Sequence, residues 1–503
     1  MEDAYAVVYL GVALVSLPWS LLIVLAGRRR WGARRDGGDG LRLPPGPWQL
    51  PVIGSLHHLL LTGQLPHRAM RDLARRHGPA MLLRLGEVPT LVVSSREGAR
   101  DVMRTHDTAF ATRPLSATMR VLTNGGRDII FAPYGDYWRQ LCKIAVAELL
   151  TARRLLSFRA IREEEVAAAR PVEMRALLAA LVADSTVRAV LGDRCRERDA
   201  FLGALDHSMQ LAAGFNPADL WPSSRLAARL SSTVRRAREC RDTVYGILDG
   251  VVQEHLERMG GGGGHDEDLL YVLLRIQKEG ALQFPLDMDV IKSVIFDVFG
   301  AGSETSATTL EWAMAELVKN PRVMQKATAE LRQTFHARGT VTEHALRELT
   351  YLHLVIRETL RLHTPLPLLL PRECQESCQV LGYDVPRGTQ VIVNAWALGR
   401  DERYWPGAPE EFRPERFEGE VASDFGGGDF AFLPFGAGRR MCPGMALGLA
   451  NVELALASLL FHFDWECSGP SSELDMTEAF GLTAGLNNKL LLRPVLRVLV
   501  PRV

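Results

Sequence analysis

The ten residues FGAGRRMCPG, Phe435 to Gly444, decide the fold of this chain. They set one cysteine, Cys442, in a glycine-rich loop directly ahead of an apolar helical run. The fixed positions read F-x-x-G-x-R-x-C-x-G. A thiolate that binds a metal needs the backbone to approach closely, and Gly438 and Gly444 carry no Cβ to prevent that. It also needs N–H groups and positive charge nearby to stay deprotonated, and Arg439 and Arg440 flank it. A cysteine displayed in this way suits the axial position of a haem iron, where thiolate ligation pushes electron density to the metal and favours O–O cleavage. The plain alternative is a free cysteine in a glycine turn.

Upstream, ETLR places Glu358 and Arg361 on one face of the helical stretch HLVIRETLRLH. FRPERF, Phe412 to Phe417, brings a second arginine, Arg416. One carboxylate between two guanidiniums can be satisfied by bidentate bonds even when buried. Alone, E-x-x-R is usually a solvated helical pair. Its position roughly eighty residues before Cys442, with P-E-R-F between, argues for a structural role. Further upstream, AGSET, Ala301 to Thr305, interrupts the long apolar run Ile295 to Leu317. Gly302 costs a helix about 1 kcal/mol relative to alanine, and close approach of a flat cofactor would account for it. Thr305 offers a hydroxyl beside the ionisable Glu304. The bland reading is a threonine bonding back within its own helix.

With every fixed position of the cysteine loop filled, and these two motifs at the right spacing, the chain resembles the cytochrome P-450 superfamily over about residues 44 to 495. The resemblance implies a P-450 fold holding haem b, with Cys442 as iron ligand and Phe435 and Arg440 beside the cofactor. It implies that Glu358, Arg361 and Arg416 form a triad that locks the segment carrying the cysteine loop. It casts Glu304 and Thr305 as the acid–alcohol pair that supplies protons to dioxygen, with Gly302 leaving room. Haem carries two carboxylates that need cations if buried. YGDYWRQLCKI, Tyr134 to Ile144, matches the helix that supplies a tryptophan and, four residues on, an arginine. Trp138 is present, but the later position is Cys142, where plant members usually carry arginine. Arg139 and Lys143 are neighbours that could compensate, though neither shares that helical face. Arg372, from LLLPRE, and Arg440 are the remaining cations. The stretch Glu163 to Met174 also looks shorter than its counterpart. These two departures imply weaker haem retention or a low-activity copy.

By the same resemblance the substrate cavity is lined by Pro114 to Ile130, Phe296 to Thr305, Leu366 to Leu370, and a late loop at Leu482 and Thr483. Those stretches are mainly apolar, which suits a lipophilic small molecule. The strings LHTPLPLLLPRE and AGSETSATTLEWAMAEL are similar to plant A-type members, the group rich in specialised metabolism. The expected activity is insertion of one oxygen atom from dioxygen, with electrons from a separate NADPH-cytochrome P-450 reductase, because no flavin or dinucleotide fingerprint occurs here. Two rivals are a dehydration or rearrangement on the same fold, which Thr305 argues against, and a haem-binding protein with little turnover.

Composition agrees. The chain has 503 residues, and 59 basic residues balance 59 acidic ones, so no basic excess points to nucleic acid. Seven cysteines scattered over this length argue for a reducing compartment rather than a disulfide framework. Cys374 and Cys378 are spaced like half a metal site, but no second pair follows and they read as ordinary loop cysteines. Ala4 to Ala26 is uncharged and long enough to span a bilayer, and RRRWGARR follows it. That asymmetry puts the bulk of the protein on the cytosolic side. A cleaved signal would want a basic start and a shorter apolar core. The expectation is a single-pass anchor in membrane lipid of the endoplasmic reticulum over residues 1–35. A linker and stiff proline hinge, PPGPWQLPVIG, would fill 36–54, and one catalytic domain 55–503. Periodicity predicts a mainly α domain with a small β-sheet region (α+β). Strands are expected within Met81 to Ser95. Helices are expected over Glu97 to Thr105, Tyr137 to Leu150, Pro285 to Val318 and Pro321 to Phe335. The run Gly260 to Gly264 reads as a flexible connector.

Overall fold

The computed structural model describes residues 40–151, 173–192, 197–260, 268–280, 282–337, 339–419, 425–467 and 474–499. The proposed anchor, the glycine connector beyond Gly260 and nearly all of the shortened segment lie outside them.

The core is built on one long helix. α7 (Met288–Lys319) starts at Asp287, whose carboxylate accepts the Val290 N–H at 3.0 Å, and stops at Asn320 ahead of Pro321. Between Val290 and Val318 its side chains are buried, apart from Val298 and the turn Ala301 to Thr305. A helix apolar on all sides belongs inside a domain, and the one open turn marks where the inside is hollow. Around α7 pack α3 (Met174–Leu191), α4 (Arg198–Ala212), α5 (Ser232–Gly260), α6 (Leu269–Glu279), α8 (Pro321–Phe335), α9 (Thr350–Leu362) and α10 (Met445–His462). Trp312 of α7, fully buried, stacks on His363 at 3.8 Å and donates to the Ala484 carbonyl at 2.7 Å. α10 is the one described helix apolar and long enough to cross a membrane, but it lies mostly buried in the core. The helix α2 (Asp136–Ile144) runs on into a widened turn, Ala145–Leu149, as the periodicity predicts.

The sheet is larger than the expectation drawn from the N-terminal strands. β1 (Ala80–Leu85) and β2 (Val88–Val93) form the anticipated hairpin. β2 then pairs in parallel with β6 (Gln390–Val393), which pairs antiparallel with β3 (Arg372–Glu373). β4 (Cys378–Val380) pairs with β5 (Tyr383–Val385), and β7 (Phe463–Cys467) with β8 (Leu492–Leu496). The C-terminal strands are two to five residues long, too short for alternation to reveal them. The proline stretch is not a free spacer. The Leu82 N–H bonds to the Pro45 carbonyl at 2.8 Å, and a Cβ on Gly46 would sit 2.1 Å from the Leu82 carbonyl oxygen. Residues 44–54 are thus docked on β1 as part of the domain, and the linker expected over 36–54 ends earlier. α1 (Pro66–His77) packs on this sheet through Ala69, Met70 and Leu73.

Candidate active site

The cysteine loop is held by its own backbone. Gly436 and Gly438 both adopt φ of 69°, and a tight turn, Gly438–Arg440, follows. The Cys442 N–H returns to the Phe435 carbonyl at 3.0 Å. A Cβ at Gly438 would lie 2.2 Å from the Met103 carbonyl oxygen, so only glycine fits there. Burial pushes the Cys442 thiol up, while the Gly444 backbone and the Arg113 guanidinium pull it back. A half-buried thiol with a cation near it can be deprotonated by a metal's charge.

That cation is not one of the two anticipated from the sequence. Arg439 turns outward, pairing with Asp107 at 2.9 Å and the Tyr134 hydroxyl at 3.0 Å. Arg440 folds beneath the Trp138 ring, 4.4 Å from its centroid, and donates to the carbonyls of Ala111, Ala132 and Ile130. Trp138 donates to the Ile129 carbonyl at 3.0 Å. Arg139, expected beside the cofactor, is instead half-exposed and pairs with Asp136. Its helical face points away from the cluster, as its offset from Trp138 requires. Arg113, which sequence reasoning missed, sits in ATRP without any periodic signal. Its guanidinium donates to the carbonyls of Ile130 and Leu370, each at 3.0 Å. Burial, Arg372 and Arg440 together hold it well below its ordinary range. Arg372 is 3.4 Å from Asp107 and donates to the Ala437 carbonyl at 2.7 Å. Arg372 and Arg440 are thus buried and Arg113 half-buried, with Asp107 and Asp128 as neighbouring carboxylates. Such a cluster calls for further anions. Cys142 faces Arg440, and burial pushes its thiol up to about 11, so it adds no charge.

The triad forms as expected. Arg361 grips Glu358 through two bonds, 2.7 and 2.8 Å long, and Arg416 donates to the same carboxylate at 2.9 Å. The Arg413 N–H adds a fourth at 2.8 Å, and the Glu358 and Arg361 side chains are fully buried. Arg361 also donates to the Pro409 carbonyl at 2.7 Å, tying α9 to the segment that leads into the cysteine loop. Removing one member of such a buried set costs about 3–5 kcal/mol, because a charge is left uncompensated.

On α7 the open turn faces a cavity of about 280 Å³. Thr305 donates to the Ala301 carbonyl at 2.6 Å, the back-bond that a helical threonine prefers. Thr305 also lines the cavity. Gly302 has open space where a Cβ would stand. Glu304 accepts from Arg175 of α3 at 3.1 Å and from Thr483 at 2.9 Å. Arg175 reaches on to Glu311, also at 3.1 Å, through a gap that Gly485 leaves; a Cβ there would be 2.4 Å from the guanidinium. The four predicted wall segments all contribute, through Pro114, Phe296, Leu368 and Leu482 among others. The structure adds Leu65 to His67, Met209, Phe215 and Phe480, which no motif marks.

A family model described as Cytochrome P450 matches residues 44–491. The chain belongs to the cytochrome P450 family. It is 47% identical to dolabradiene monooxygenase of Zea mays, covering 99% of both chains. It is 50% identical to zealexin A1 synthase of the same plant, over 90% of this chain and 93% of that one. It is 44% identical to premnaspirodiene oxygenase of Hyoscyamus muticus, over 92% and 94%. Among solved structures, a zebra fish cytochrome P450 with progesterone superposes with a TM-score of 0.74 at 26% identity, covering 86% of this chain and all of that one. This P450 is thus a haem-thiolate monooxygenase of lipophilic small molecules, in a family of plant specialised-metabolism enzymes. Its cofactor is haem b with a cysteine axial ligand. The residues fit that cofactor: one half-buried thiol, a glycine with open space beside it on α7, and three clustered guanidiniums.

Proposed function

We propose that Cys442 ligates the haem iron and that this P450 hydroxylates a terpene hydrocarbon. The observation that carries the substrate class is that polar groups on the cavity wall are already occupied. His67 pairs with Glu478 at 2.9 Å, Asp219 accepts the Thr118 N–H at 3.0 Å, and Asp297 accepts the Ile129 and Ile130 N–H groups. Most of the remaining wall is apolar side chain, which suits an occupant that needs no fixed hydrogen bond. Two of the relatives are named for dolabradiene and premnaspirodiene, and the suffix denotes a hydrocarbon with two double bonds.

Haem supplies the activation of dioxygen, helped by the thiolate's electron density. The chain's own residues do the rest. Arg113, Arg372 and Arg440 hold the cofactor's carboxylates. Glu304, fixed by Arg175 and Thr483, and its neighbour Thr305 both line the cavity and would relay protons from solvent into it, each proton passed on being replaced from water. The apolar wall orients the substrate and keeps bulk water away. Electrons come from an NADPH-cytochrome P-450 reductase. The chain sits on the endoplasmic reticulum membrane through residues 1–35, its domain in the cytosol. Exposed Leu41, Leu43, Trp48, Val52, Leu60 and Leu61, all near the described N-terminal edge, support a membrane-facing side.

Microsomes with added reductase, given sesquiterpene and diterpene dienes under oxygen-18 gas, test this. One labelled oxygen per product, with stoichiometric NADPH, is expected. Unlabelled product, or turnover of phenolic substrates alone, would overturn it. Cys442→Ser should abolish the thiolate-type Soret band of the reduced carbon-monoxide complex. Its survival, with loss in another cysteine variant, would move the ligand elsewhere.

A further inference from the structure

Two thiols outside the haem site share one turn. Cys374 follows β3, and Cys378 opens β4. The Cys374 Sγ donates to the Glu376 carbonyl at 3.0 Å and lies 3.6 Å from the Val385 carbonyl oxygen. Val385 is the residue paired with Cys378 across the β4–β5 hairpin. The first sulfur is therefore folded into the turn that ends at the second. Both pack on the same apolar cluster. A hydrogen bond from the Cys378 thiol, helped by backbone N–H groups of the turn, holds the Cys374 thiol below its ordinary range and drives Cys378 above it. Cys374 is buried and Cys378 half-buried, while Glu376 and Ser377 between them are exposed.

We propose that Cys374 and Cys378 are a peroxide-reactive dithiol that closes to an intramolecular disulfide. The Cys374 thiolate attacks hydrogen peroxide, breaking the O–O bond to give a sulfenic acid and hydroxide. The Cys378 thiol then attacks that sulfur. The S–S bond forms, the S–OH bond breaks, and oxygen leaves as water with the thiol proton. Two thiols are oxidised by two electrons, and one peroxide becomes two waters. A thiol with a second, resolving cysteine in the same turn is an arrangement that makes such oxidation reversible. The oxidant also has a source at the protein, since two-electron reduction of dioxygen that misses its substrate yields hydrogen peroxide. Arg372 lies two residues before Cys374 and holds the Ala437 carbonyl of the cysteine loop, so the dithiol adjoins the haem loop's support.

The test uses the purified holoenzyme. Trypsin cuts after Arg372 and Arg387, isolating both thiols in one peptide, Glu373 to Arg387, which holds no other cysteine. After hydrogen peroxide at doses that leave the Soret band intact, this peptide should lose two hydrogens in mass and resist alkylation. Dithiothreitol should restore it. In Cys378→Ser, the same dose should leave Cys374 as a sulfenic acid captured by dimedone, without the two-hydrogen loss. The proposal fails if the wild-type peptide stays doubly alkylated at doses that oxidise the half-buried Cys142 or Cys467. It fails equally if Cys374 advances to sulfinic acid with no bridge detected. The wild-type result decides even if the variant does not accumulate.

Discussion

Guanidiniums clustered out of water need negative charge, and this governs Arg113, Arg372 and Arg440. Arg113→Ala should lower haem occupancy several-fold, read as the pyridine-haemochrome ratio of purified protein. Arg113→Lys should recover only part of it, because the planar fork that reaches both Ile130 and Leu370 is lost. A second residue-scale expectation concerns Thr483, whose hydroxyl fixes Glu304. Thr483→Val should keep haem and substrate affinity yet divert reducing equivalents to peroxide, seen as product per NADPH falling about threefold or more, the order set by loss of one charge-assisted bond. Unchanged coupling would show that Arg175 alone suffices. At this scale the sequence was legible where chemistry demands fixed spacing, as at Glu358, Arg361 and Arg416, which meet as the spacing requires. It was not legible for Arg439, because Asp107, far away along the chain, captures that side chain. It was blind to Arg113 for the same reason, since what makes that residue matter is brought to it by folding.

Between single residues and the molecule stand the joints between elements. Asp297 on α7 accepts the N–H groups of Ile129 and Ile130, and Asp128 accepts those of Phe131 and Ala132. The two carboxyls face each other in the interior. Burial raises both, Asp128 to about 6, and Asp297 is raised further by the neighbouring Asp128. A carboxyl whose native pKa lies above its unfolded value makes the folded state bind the extra proton. Its contribution is therefore largest below the ordinary value of 3.8 and declines as pH rises towards about 6. Asp297→Asn keeps an acceptor for the loop and removes one ionisation. Its urea midpoint should fall less steeply between pH 4 and 6 than that of the parent protein, on the order of one proton's slope. Parallel curves would mean that the pair does not titrate in folding. Helices of this kind were read well from periodicity, with α8 found at the predicted residues. Strands β3 to β6 were not, because pieces this short are strands only by virtue of their partners.

Among the described residues the proline stretch is fastened to β1, so the proposed anchor should be separable. A chain lacking Met1 to Arg35 should leave the membrane pellet in part and keep its haem, as sedimentation and the Soret band would show. Loss of haem would mean that the segment packs into the fold. The pairing of β2 with β6 carries a further consequence, one of timing. Thr90 meets Gln390 in that ladder, some 300 residues later in the chain. At synthesis rates of about 5–20 residues per second, the partner emerges about 15–60 s after β2 has left the ribosome. Through that interval one edge of the first hairpin stands open, with Leu91, Val92 and Val93 not yet enclosed. The newborn protein thus depends on something else to guard that edge, and a ribosome stalled before Gln390 would release a chain primed to aggregate.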